Sequence, residues 1–119
     1  MIAMTPAFRW CTLHVDVADP GTVVTELADL LGAPDDLDVF HPPGFTAEVR
    51  ANPDRTRGPH HLDWPTVVEV DATGPVPDPE VVAFVTRVID HLHTAGLRVA
   101  AECDHPDQLP PPDTRPPDP

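Results

Sequence analysis

The sequence predicts an α+β fold: a two-layer sandwich in which an antiparallel four-stranded sheet carries two helices on one face, in ferredoxin-like βαββαβ order. Three observations predict it. Alternating segments and segments of helical periodicity follow one another as strand, helix, strand, strand, helix, strand. The run LHVDVADP before the first helix is echoed by VEVDATGPVPDP before the second. Each helix opens on an Asp-Pro pair and closes on a glycine.

Residues 8–17 (FRWCTLHVDV) alternate, with Cys11, Leu13, Val15 and Val17 on the core side, Arg9 at the fraying end, and Phe8, Trp10, Thr12, His14 and Asp16 on the other. Asp19 then supplies an N-cap, and Pro20 takes the first helical position, where a missing N–H costs nothing. Val23, Val24, Leu27, Leu30 and Leu31 recur at helical spacing until Gly32. Pro34 and the acids Asp35, Asp36 and Asp38 make a loop, followed by a short extended piece at Val39 and Phe40.

Pro42, Pro43 and Gly44 break the chain before a second strand at residues 45–51, whose core side is Phe45, Ala47, Val49 and Ala51. Residues 52–63 (NPDRTRGPHHLD) read as a long exposed hairpin loop. Residues 64–72 form the third strand, with Trp64, Thr66, Val68, Val70 and Ala72 inward and Val67, Glu69 and Asp71 outward. Asp78, as N-cap, and Pro79 open the second helix, whose apolar stripe is Val81, Val85, Val88 and Leu92 with Phe84 and Ile89 beside it and which stops at Gly96. Residues 99–103 form the last strand. Residues 1–105 are thus one domain, and the proline-rich run 106–119 predicts an extended, largely disordered tail.

In this topology the strands that precede helices are central neighbours and the last strand pairs with the first, which brings Cys11 near Cys103. With only two cysteines and no signal-peptide pattern, we read them as buried, reduced thiols, a disulfide or a regulatory thiol being the alternatives, and expect a cytoplasmic protein.

The net charge is −13 and the chain contains no lysine, which excludes a nucleic-acid or anionic-membrane surface: phosphate binding needs clustered cations to displace counterions. Arg50, Arg55 and Arg57 make only a local basic spot. There is no serine, hence no serine-nucleophile elbow, and no phosphate loop, dinucleotide turn or H-E-x-x-H helix. No catalytic residue, cofactor or metal is predicted. Cys103, Asp104 and His105 are adjacent but alternate in direction on a strand. His60, His61 and Asp63 lie in a turn-rich loop without zinc-ligand spacing, and His91 and His93 diverge by about half a helical turn.

The sheet face away from the helices is the functional lead. It carries Phe8, Trp10, Thr12 and His14 from the first strand and Val67, Glu69 and Asp71 from the third, with aromatics at one end and acids at the other. Left open, such a face suits a basic protein partner, a second copy of the chain as a homodimer, or a small ligand; the alternative is that the loop 35–44 or the proline-rich tail folds over its aromatics. The alternative reading is a ferredoxin-like module for a small molecule or a metal.

The run VIDHLHTAGLRVAAECDHPDQLP resembles, through Gly96, Ala100, Ala101, Cys103, Asp104, Asp107, Leu109 and Pro110, the C-terminal segment of small uncharacterised bacterial proteins. There, a helix, a glycine and a strand lead into a Cys-Asp and an Asp-x-Leu-Pro ending, and some members are suspected immunity proteins against contact-delivered or polymorphic toxins. His105 and Gln108 depart from that pattern. The resemblance implies a non-enzymatic inhibitor of a basic protein and brings no functional residues with it.

Overall fold

The computed structural model describes residues 9–52 and 64–103. Phe8, the loop residues His60 and His61, Asp104, His105 and the segment 106–119, all singled out above, lie outside the described residues. The elements are β1 (Trp10–Val15), α1 (Pro20–Leu31), β2 (Val39–Phe40), β3 (Phe45–Ala51), β4 (Thr66–Ala72), α2 (Asp78–Thr94) and β5 (Val99–Cys103). They form an α+β fold with one five-stranded sheet in the order β2-β3-β4-β1-β5, every neighbouring pair antiparallel.

Five strands stand where four were expected. The addition is β2, whose Val39 and Phe40 pair with Glu48 and Ala47 on the edge of β3. Asp35 makes this possible. Its carboxylate accepts hydrogen bonds from the N–H groups of Leu37 (2.8 Å) and Val39 (3.0 Å) and contacts His41 Nε2 at 2.9 Å, folding the acidic loop back on the sheet. These partners, His41 first, hold the Asp35 carboxyl below its usual pKa. Phe40 is thereby delivered fully into the core.

One sheet face is covered by both helices. From the strands, Cys11, Leu13, Val15, Ala47, Val49, Val68, Val70 and Val99 meet Val23 and Leu27 of α1 and the α2 stripe Val81, Val85, Val88 and Leu92. Burial of each such side chain is worth about 1.5–3 kcal/mol, which is why the apolar periodicity dictates which face docks. Phe45 and Phe84 stack at 4.2 Å with an interplanar angle of 9°. Ala51, expected inward, is exposed at the end of β3.

The helix ends show where local chemistry acted. Asp19 caps α1 through a 2.9 Å hydrogen bond accepted from Gly21 N–H, with Pro20 at the start. In α2 the cap is Pro77, not Asp78: the Pro77 carbonyl accepts from Glu80 and Val81 N–H, and Asp78 falls within the first turn, where a carboxylate faces the positive helix end. At the far end Leu97 N–H bonds Leu92 O and Gly96 N–H bonds His93 O, a pattern that needs the left-handed φ of 85° at Gly96.

β1 and β5 are adjacent, as expected, and Cys11 stands opposite Cys103. The two sulfurs are bonded at 2.04 Å, so the expectation of reduced thiols is corrected. Both side chains point to the helix-covered face from directly opposed positions on neighbouring strands, which places their sulfurs within bonding reach.

Candidate functional site

Strand parity that buries Cys11, Leu13 and Val15 turns Trp10, Thr12 and His14 to the opposite face, and the register aligns them with β4. Trp10 stands opposite Asp71, Thr12 opposite Glu69, and His14 opposite Val67. The flanking strands extend these rows. Thr46 lies beside Asp71, Glu48 beside Glu69 and Arg50 beside Val67, while β5 sets Glu102 beside Thr12 and Ala100 beside His14.

The six predicted residues that are described therefore share one face, but they do not share one environment. His14 and Val67 are buried, together with Ala100 and Trp64. Val67, Ala100 and Trp64 are buried apolar residues outside the helix-side core, so of the open and covered alternatives this half of the face takes the covered one. Trp64, expected in the main core, instead lies under the Arg98 guanidinium, 5.2 Å from the ring centroid. Arg98 also pairs with Asp16. Pro65, which lacks an N–H, is not part of β4, and its carbonyl accepts from Asn52 N–H at 2.8 Å, closing the base of the β3–β4 hairpin.

The other half of the face is accessible. Trp10 is 41% exposed, Asp71 and Glu102 are exposed, and Thr12 and Glu69 are half-buried. Trp10, Cys11, Thr12, Glu69, Val70 and Asp71 line a shallow depression of about 150 Å³. Glu48 and Glu69 stand directly opposite one another, and like charges so placed on a sheet repel; Glu102 continues the row on the far side of Thr12. Arg50 relieves part of the repulsion by pairing with Glu69 from the next row. Asp71 has its pKa raised by partial desolvation and then by the Glu69 charge. An indole beside carboxylates held at a cost is a setting that favours a cation: the ring face attracts it and the carboxylates gain a counter-charge.

Cys11 is among the residues lining this depression, while its side chain turns to the helix-covered face, where its sulfur is bonded to that of Cys103. The sequence pattern located the face but left out, besides Glu102 on β5, three residues of β3: Thr46, Glu48 and Arg50. Their outward parity was readable, whereas the adjacency of the β3 residues to Asp71, Glu69 and Val67 depends on the hairpin register, which is fixed by the closing bonds of Asn52 to Trp64 and Pro65.

No helix among the described residues is long and apolar enough to cross a membrane. Comparison of the chain with protein-family models, with curated proteins and with solved structures finds no match.

Proposed function

We propose that this is a non-enzymatic binding protein that docks a basic protein partner on the accessible half of its sheet face, around Trp10 and Asp71. The carrying observation is the direct cross-strand pairing of an exposed tryptophan with a partly desolvated aspartate, beside the row Glu48, Glu69 and Glu102. A lysine or arginine of the partner stacks on the indole while its charged head meets Asp71 and Glu69. The net charge of −13 steers such a partner toward the molecule and repels polyanions.

An immunity-type inhibitor of a basic toxin is the concrete form of this reading, supported by the acidity and by the C-terminal resemblance. The four longer strands are read as a ferredoxin-like sheet, β3-β4-β1-β5, extended by the edge strand β2. Composition favours the cytoplasm as its compartment, while the Cys11–Cys103 bridge favours an oxidising one; a thiol count on protein quenched with maleimide directly from cells separates the two.

The interaction is tested by titrating the full chain with a short arginine-rich peptide and following the heat of binding, a readout that does not depend on Trp10. Binding should weaken as salt rises. Trp10→Ala should weaken it by about 3- to 30-fold, the equivalent of a cation–π contact. Binding that is unchanged in Trp10→Ala and in Asp71→Asn would remove the proposed surface. A salt-insensitive dimer through the same face would replace the basic partner by a second copy.

A further inference from the structure

The packing of α1 against α2 brings together three metal-ligand side chains that no sequence spacing connects. Glu26 and Asp29 are three residues apart on α1, which places both carboxylates on the same side of the helix. His91 meets them from the last turn of α2. One donor atom from each of the three residues lies within 4.8 Å of the other two. Glu26 and His91 are half-buried and Asp29 is exposed, so the cluster has an inner wall and one side open to water.

Two features of the cluster are unfavourable as they stand. His91 Nε2 is shielded from solvent and has no hydrogen-bond partner among the described residues; Glu26 Oε1, at 3.7 Å, is beyond hydrogen-bond reach. A shielded imidazole nitrogen without a partner carries a desolvation cost. The carboxylates of Glu26 and Asp29 also repel, and among the described residues no arginine forms an ion pair with either. A single cation between the three groups removes both costs, accepting the imidazole lone pair and neutralising the acids.

The donor set identifies the cation. Magnesium and calcium take oxygen ligands, whereas one imidazole nitrogen with two carboxylate oxygens suits zinc and similar divalent transition ions. Metal–ligand bonds of about 2.0–2.2 Å put donors around a tetrahedral ion about 3.5 Å apart, so side-chain movements of about 1 Å close the cluster on an ion. We infer that Glu26, Asp29 and His91 form a binding site for a zinc-class divalent ion, which clamps α1 to α2 and keeps water at its open position. The site is separate from the acidic sheet face.

The test is a titration of the full chain with zinc ion alone, in competition with a chromophoric chelator, together with thermal unfolding. One ion should bind per chain and raise the unfolding temperature. His91→Ala and Glu26→Gln should each weaken binding by more than about tenfold, since loss of even an outer-shell partner typically costs 10–100-fold. His60→Ala combined with His61→Ala should leave it unchanged. Glu26→Gln preserves side-chain shape on the helix surface, so it reports even if His91→Ala loosens the helix pair. Failure of the wild-type chain to take up zinc, or uptake of equal strength in Glu26→Gln, would overturn the site. Equal competition by magnesium would overturn the transition-metal assignment.

Discussion

Cys11 and Cys103 are 92 residues apart in the chain and directly opposed across the β1–β5 ladder, their Cα atoms 4.1 Å apart and their sulfurs bonded. The bond ties the first strand to the last, and the intervening chain, which includes both helices and the three other strands, becomes a closed loop.

Closure of so long a loop lowers the entropy of the unfolded chain, and loss of such a bridge typically costs about 2–5 kcal/mol. Cys11→Ala combined with Cys103→Ala should lower stability by that amount, and dithiothreitol should do the same to the wild-type chain. Guanidinium unfolding with and without reductant measures it. Coincident midpoints would show that the two thiols are not joined in solution.

Asp71 should make the protein more stable when neutral. Its pKa is raised above the ordinary 3.8, by desolvation first and Glu69 second, so the folded chain holds this proton more tightly than the unfolded chain does. Stability contributed by the group therefore falls as pH rises from the ordinary value through the raised one, and stays lower at neutral pH. Asp71→Asn should be more stable than wild type at pH 7, by less than about 1 kcal/mol because the residue is largely exposed. The difference should vanish as pH is lowered below the ordinary carboxylate value. Paired urea titrations across acid and neutral pH decide it, and a gain that persists in acid would point to another cause.

Among the described residues Phe40 is the largest fully buried side chain, and it belongs to a strand of only two residues. Phe40→Ala should cost about 3–5 kcal/mol, the usual range for a truncated core aromatic. Hydrogen exchange should show β2 losing its pairing to β3 while β1, β4 and β5 keep theirs. A loss below about 1 kcal/mol would mean that β2 is an appended loop and not part of the core.

Much of the fold was legible in local patterns. The alternation of β1, β3 and β4, the stripes Val23 with Leu27 and Val81 through Leu92, and the Asp19–Pro20 start are each consequences of a few residues acting on their own backbone. β2 was not legible as a strand of the sheet. Two residues carry no period, and their pairing depends on the fold-back held by Asp35.

The same division holds for the sites. Sequence by itself determined that Thr12, His14, Val67, Glu69 and Asp71 face the same side as Trp10, because parity follows from strand geometry. It also suggested that Cys11 and Cys103 are neighbours, through a split βαβ arrangement in which the last strand lies beside the first, and the structure has β5 beside β1. Only the tertiary structure decided that His14 and Val67 are covered while Trp10 and Asp71 are open, that the two thiols are bonded, and that His91 faces Glu26 and Asp29. Each of these depends on distances between segments remote in the chain. Local propensities constrain φ, ψ and facing direction, whereas the separation between packed elements is set by the whole core at once.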